Sequence, residues 1–488
     1  MYPFYKLLLI LGLIALILLP LFIVMILRDP KRFYYLVVFA MPFITNPSHH
    51  PVAKRLGLPE FIFIPFLIFW IIYSSLSGKG LKPLVPLHSL ILAFFLSVTF
   101  SMVGLDSTNY SIPLIELLVL LYSIIFCFTA DQVIDNEHDL EKVITAWMLG
   151  AATMSIVGMH DVFAIVLGGS RWFWTSDSYR VVATFRTTGQ VGVYCLSTFF
   201  LAVAYSSCGW LSLRKRVLLW SLAAAMVVLI TFSSRRSVIA SLVIGAAFYL
   251  ASRIRRPARI IFYSLIFLLF LSASAVILNY NPEAKEHLLG RLSVLRPSED
   301  QSAGVQTKSD DFIRSNFGSA LDAFVDKPLV GIGYGSFEES DYSEYGAEIH
   351  NTPLKILAEC GLVGFLAYAA FIGALLYYAL QNVLLARNTP WSGFASLLFA
   401  GLLALQVSYL YNRSVRDRTF WLLVAFTIAL HRILAQKRAP KTTASLNAKS
   451  NYFSVPHPSP SAFPAPRSGG IRAGGREWPG TPARRGTP

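Results

Sequence analysis

The chain has 488 residues, of which 55% are hydrophobic, 14% aromatic and only 14% charged. A soluble chain of this size carries about 25% charged residues. The shortfall falls in repeated apolar runs of roughly 17–25 residues, the length that crosses a hydrocarbon layer about 30 Å thick. This pattern predicts an all-α polytopic membrane protein. It excludes soluble multidomain enzymes, collagen-like chains and disulfide scaffolds, and the lack of ten-residue alternating strands excludes an outer-membrane barrel.

The formal net charge is 42 − 27 = +15. The stretch 437–488 holds nine of the basic residues against one acidic residue, Glu477, and is rich in Pro, Ser and Gly. Such a segment cannot bury enough apolar surface to offset chain entropy. It is expected to be a disordered cytoplasmic tail beside anionic membrane lipids, with no nucleic acid among its partners. Cys127, Cys195, Cys208 and Cys360 lie in or beside apolar segments without paired spacing, so they read as packing residues.

In chain order the apolar segments fall near 6–27, 33–45, 60–76, 84–103, 112–130, 143–168, 190–207, 216–232, 237–252, 260–278, 352–380, 391–411 and 419–435. The segment 33–45 is short and contains Pro42, as half of a broken helix would. We therefore expect about 12 transmembrane helices, with 13 as the alternative. The first segment has no small-residue cleavage site after it and reads as a span or anchor.

Lys and Arg gather in short cytoplasmic loops. Arg214–Arg216, Arg253 with Arg255, Arg256 and Arg259, then Arg387 and Lys437–Arg438 fall in alternate loops, which is self-consistent. The loops near 169–189, 233–236, 279–350 and 412–418 then face the opposite side. Arg235–Arg236 and Arg413, Arg416 and Arg418 break the rule, and charges that do so need another reason to be there. A further arginine group on that side, Arg171, Arg180 and Arg186, is interleaved with Trp172, Phe173, Trp174, Tyr179 and Phe185. Cations beside aromatic rings suit a sugar face or an interfacial belt equally.

The organisation follows: N-terminal transmembrane helices over 1–278, one large exoplasmic loop over 279–350, C-terminal transmembrane helices over 351–436, and the tail. Within the loop, Phe312, Phe317, Leu321 and Phe324 recur at helical spacing and predict a helix near 310–326. A loop of this length is usually functional. No Walker, Gly-rich nucleotide or zinc-ligand spacing appears, so no metal and no cofactor are expected.

After three glycines at Gly331, Gly333 and Gly335, the loop ends in His350–Asn351 as an apolar helix begins. A histidine at that interface can act as a base near neutral pH. The competing reading is that His350 or Asn351 only starts the helix, with Pro353 in its first turn. Glu359, nine residues on, lies roughly 13 Å along the helix and on its other face, too far for a dyad with His350. Arg235 and Arg236, between two apolar spans, must snorkel, pair or bind an anion. Glu116, His160 and Asp161 are ionisable groups inside apolar runs, which a transporter would also carry.

Taken together, Ser234-Arg235-Arg236-Ser237, the Arg180-to-Phe185 stretch, Pro328-Leu-Val-Gly-Ile-Gly-Tyr-Gly335, His350-Asn351-x-x-Leu354 and Glu359-Cys-Gly361-Leu-Val-Gly364 resemble the O-antigen ligase and O-antigen polymerase superfamily over about residues 170–435. The resemblance implies a GT-C-type glycosyltransferase architecture in the bacterial inner membrane with its active site on the periplasmic side. It implies an undecaprenyl-pyrophosphate-linked glycan as donor and, in ligases, lipid A-core as acceptor; polymerases take another lipid-linked repeat unit. His350 takes the position of the base, with Asn351 and Glu359 in support. Arg236, Arg235, Arg180 and, in the loop, Arg314 take pyrophosphate-binding positions. The chain departs from the family pattern at Ala183, where relatives carry glycine, and in placing Arg314 three residues before Phe317 instead of four before a Trp. A transporter of lipid-linked or anionic substrate is the alternative from another class.

Overall fold

The computed structural model describes residues 29–44, 58–78, 81–105, 110–170, 180–233, 235–252, 306–343, 346–412 and 415–438, without side chains over 306–314. The apolar segments at 6–27 and 260–278, Arg171, Arg413, the early part of the late loop and the tail beyond Arg438 lie outside them. The described residues form helices only: α1 (Pro30–Ala40), α2 (Leu58–Leu76), α3 (Pro86–Ser101), α4 (Ser111–Val133), α5 (Glu137–Leu167), α6 (Thr188–Ser206), α7 (Leu213–Ser233), α8 (Arg236–Ser252), α9 (Gln306–Asp326), α10 (Thr352–Leu385), α11 (Ser392–Tyr409) and α12 (Arg418–Arg438). Nine of these, α2 to α7 and α10 to α12, are long and apolar enough to cross a membrane, and α8 is a shorter apolar helix. The protein is a multi-pass membrane protein.

Local chemistry sets several helix boundaries. The Asn136 side chain accepts the Asp139 amide at 3.0 Å and starts α5, while Gly168, with φ of 72°, ends it. α1 stops at Ala40, and Pro42 follows in a turn whose carbonyl accepts the Thr184 hydroxyl at 2.6 Å. The short apolar segment read as half a broken helix is thus an 11-residue helix anchored at its end.

α6 and α12 are the central helices, buried along nearly their whole length. α6 packs between α7 and α11, α8 lies on α11, α12 lies on α4, and α10 packs against α3, α11 and α12. Small residues let backbones approach: a Cβ at Gly245 would come within 2.6 Å of Phe200 and 2.7 Å of Ala404. Large apolar side chains on α2, among them Phe61, Ile64, Ile68 and Ile71, point outward, as lipid-facing residues do.

The loops sort to two ends. At one end Trp391 donates to Glu137 at 2.5 Å, Lys437 reaches the same carboxylate at 2.7 Å, and Trp210 lies against Trp391. At the other end the residues around 184–190, 235, 350 and 412–419 gather around a cavity.

Candidate active site

The cavity has a volume of about 360 Å³. Four helices begin at it: α6 contributes Gly189 and Gln190, α12 contributes Arg418 and Thr419, Arg235 immediately precedes α8, and His350 stands just before α10. Helix N-termini carry a partial positive charge, so their convergence favours an anion. Arg186, Arg235, Arg416 and Arg418 line the same wall. Planar guanidinium groups can add the paired donors that phosphate oxygens accept, where carboxylates do not already take them.

One residue ties three of the contributing segments together. Asn412, just past the end of α11, donates from its side chain to the Ser237 hydroxyl in α8 at 2.9 Å and to the Ser408 hydroxyl at 3.0 Å, while its backbone carbonyl accepts the Thr352 hydroxyl of α10 at 2.7 Å. The starts of α8 and α10, hence Arg235 and His350, are thereby held in one register. Arg235 is fixed on its other side by a 3.0 Å bond to the Thr188 hydroxyl in α6, with its guanidinium across the bare face of Gly189.

At the start of α10 the two readings divide between neighbours. Asn351 is the cap, its side chain accepting the Leu354 amide at 2.9 Å with Pro353 in the first turn. His350, outside the cap, is exposed and lines the cavity.

Behind the cavity wall lies a chain of paired charges. Arg416 binds Glu116 through one terminal nitrogen and Glu348 through the other, the latter at 2.7 Å. Burial opposes the charge on Arg416, but Glu116 and Glu348 outweigh it, so its pKa is raised and it stays a cation. Glu348 also lies 3.5 Å from Lys355, which lies 3.7 Å from Glu359. Arg418 pairs with the buried Glu60 and lies 6.0 Å from the Tyr122 ring centre. Between the two arginines, burial pushes the Asp417 carboxyl up, against the hydrogen bonds of Thr419 and the charge of Arg418 that pull it back.

Glu359 does not reach the cavity. It accepts the Gly335 amide at 2.8 Å, where the glycine-rich turn crosses α10. α10 breaks its helical geometry at Gly361, with φ of 62° and ψ of −166°. The carbonyls of Ala358 and Glu359 there accept the amides of Ile332 and Gly333 at 3.2 and 2.9 Å, and the Leu362 amide donates to the Pro328 carbonyl at 2.7 Å. The glycines of both motifs lie where two backbones touch: a Cβ at Gly331 would stand 2.4 Å from Glu359 and one at Gly361 2.4 Å from Leu329.

Of the residues expected to form the site, His350 and Arg235 share the cavity, Asn351 caps beside it and Glu359 supports the crossing behind it. Arg236, the first residue of α8, and Arg180, half-buried ahead of the 181–187 turn, lie outside the cavity lining; Arg314 is on α9, where side chains are undescribed. Arg186, Arg416 and Arg418 are cavity residues that the resemblance does not carry over. Their signal in the sequence is their breach of the positive-inside pattern and, for Arg186, its aromatic neighbours. Among the described residues no group of three or more His, Cys, Asp or Glu side chains gathers as a metal site.

Residues 222–369 match the protein family described as O-antigen ligase. The matched stretch runs from α7 into α10 and includes Arg235, Arg236, His350, Asn351, Glu359 and the glycine-rich crossing. The match takes in 148 of the 488 residues, so this stretch is similar to an O-antigen ligase domain, which supports a likeness to the O-antigen ligase-like superfamily. No curated protein matches the chain.

Proposed function

We propose that the protein transfers a glycan from undecaprenyl pyrophosphate to a sugar hydroxyl of lipid A-core, as an O-antigen ligase acting at the periplasmic face of the bacterial inner membrane. The observation that carries this reading is the meeting of His350 with an arginine-lined cavity where four helices begin, in a chain with a stretch similar to an O-antigen ligase domain. His350 accepts the proton of the acceptor hydroxyl, whose oxygen attacks the anomeric carbon. The bond to the pyrophosphate oxygen breaks, and undecaprenyl pyrophosphate leaves with the electron pair. Direct attack inverts the configuration at that carbon. Guanidinium groups and helix N-termini already facing the cavity stabilise the charge that develops on the leaving group, without reorganising during the step. A polymerase would use the same donor chemistry with a lipid-linked acceptor. The transporter alternative asks for polar groups at mid-membrane on broken helices, whereas these sit at one end of the bundle.

The test is an acceptor assay with purified protein in nanodiscs, supplied with lipid-linked glycan and lipid A-core, with and without chelator. A glycan ladder on lipid A-core in both samples supports the ligase, and loss of product with chelator counts against its metal-independence. Longer lipid-linked chains without transfer to core identify a polymerase, and no product on either acceptor removes the glycosyl-transfer reading. His350→Ala is expected to lower transfer at least about hundredfold, the scale of a lost general base. Arg235→Ala is expected to act more strongly than Arg236→Ala, because only Arg235 lines the cavity. Near-wild-type transfer by inserted His350→Ala protein would remove that residue from the mechanism.

A further inference from the structure

We propose that Glu116 and Glu348 are positioning residues that grip Arg416 as a strut and so hold the chain segment carrying His350 against the cavity; the proposal rests on the glycosyl-transfer reading above. The two carboxylates come from distant parts of the chain, 300 and 68 residues from Arg416, and take one terminal nitrogen each. Glu116 and Glu348 are nearly inaccessible, with side chains 2% and 8% exposed. A buried carboxylate without a cation is strongly disfavoured, so each anchors the guanidinium and is anchored by it. Arg416 thus lies in the cavity wall with its charge already matched by two anions. A pyrophosphate arriving there would meet that pair of carboxylates as well as the guanidinium.

Glu348 stands two residues before His350, so whatever fixes Glu348 limits where the imidazole can go. The grip continues away from the cavity: Lys355 lies 3.5 Å from Glu348 and 3.7 Å from Glu359, and Glu359 accepts the Gly335 amide at 2.8 Å. Charges alternate in sign along this line. It joins α4, the 346–351 segment, α10, the glycine-rich turn and the loop before α12, all within reach of the site. A line of this kind transmits position, because moving an inner member breaks two pairs.

Glu348→Gln, Glu348→Asp, Arg416→Met, Arg416→Lys and Arg235→Ala variants in nanodiscs are compared with wild type by steady-state transfer kinetics and by inorganic pyrophosphate binding. Loss of the grip in Glu348→Gln and Arg416→Met is expected to lower kcat at least tenfold, with donor KM and pyrophosphate affinity within threefold of wild type. Arg416→Lys and Glu348→Asp keep both charges and are expected to recover part of kcat; if the neutralising variants do not fold, the split is read on these two. Arg235→Ala is expected to weaken pyrophosphate binding instead. Pyrophosphate affinity falling in step with kcat in the Arg416 variants would overturn the proposal, because Arg416 would then touch the anion, and so would wild-type kcat in Glu348→Gln. If wild type itself transfers glycan to neither acceptor, the functional reading fails and the proposal is decided by the diethylpyrocarbonate modification rate of His350, read by mass spectrometry. A change of at least threefold in Glu348→Gln supports the strut, and an unchanged rate overturns it.

Discussion

At the residue scale, Ala183 places a side chain where the backbone favours glycine. Ala183 has φ of +46°, in the left-handed region. A side chain there costs about 1–2 kcal/mol. Glycine would remove that strain but loses about 0.5–1 kcal/mol to chain entropy. The Ala183 methyl is fully buried and its removal forfeits about 0.8 kcal/mol more, so the terms nearly cancel. Ala183→Gly is therefore expected within about 1 kcal/mol of wild type, whereas β-branched Ala183→Val should cost at least about 2 kcal/mol. Denaturation midpoints of the two purified variants check this. The same scale separates what could be read from the sequence at the site. His350 and Arg235 stood out because ionisable groups at the edge of apolar helices need a reason to be there. Arg416 and Arg418 carried only the weaker sign of basic residues on the wrong side. Glu116 stood out as an ionisable group inside an apolar run, but nothing in the sequence tied it to Arg416, 300 residues away.

At the scale of elements, hydropathy located the helices well because the membrane core demands a set apolar length. The segments read at 391–411 and 419–435 are Ser392–Tyr409 and Arg418–Arg438. It failed where structure leaves the apolar layer: α5 begins at Glu137, six residues before the apolar run, because Asn136 caps a polar first turn. It also could not show the break in α10, since hydropathy runs unbroken through Gly361. Two requirements coincide at that glycine, a φ of 62° and backbone contact with the 328–333 turn. Gly361→Ala would add left-handed strain of about 1–2 kcal/mol to an overpacking cost of about 1–3 kcal/mol, against backbone that cannot rotate away. A loss of about 2–5 kcal/mol is expected, seen as a lower melting temperature and a smaller monodisperse fraction in detergent. Gly373→Ala is the control in the same helix: a Cβ there meets nothing within 4 Å, so stability should hold or rise slightly. Equal behaviour of the two variants would show that the crossing contributes little to the fold.

At the scale of the whole molecule, charge is concentrated at both ends of the bundle, with different work at each. The end away from the cavity holds Lys31 at 2.6 Å from both Asp135 and Asp139, Lys82 at 2.7 Å from Asp135, and Arg432 paired with Asp131. Asp131 is fully buried, its backbone carbonyl accepts Lys82 at 2.8 Å, and the His88 ring stands 3.6 Å from its carboxylate. It therefore fastens the approach to α3 and the end of α4 to α12. Asp131→Asn keeps the shape and removes the charge, leaving Arg432 in a largely buried place without its counter-ion. Breaking a buried pair on one side typically costs about 3–5 kcal/mol, so a clear fall in thermal stability is expected. The chemistry should be spared. Arg432 lies fourteen residues along α12 from Arg418 in the cavity wall, about 21 Å at 1.5 Å per residue, and no cavity residue touches Asp131 in the described structure. Transfer per folded molecule in Asp131→Asn should therefore remain within about threefold of wild type at temperatures below its melting point, while His350→Ala shows the reverse, a stable and inactive protein. Inactive Asp131→Asn protein that is nonetheless folded would mean that the two ends are mechanically coupled through α12, and that the charges far from the cavity help to shape it.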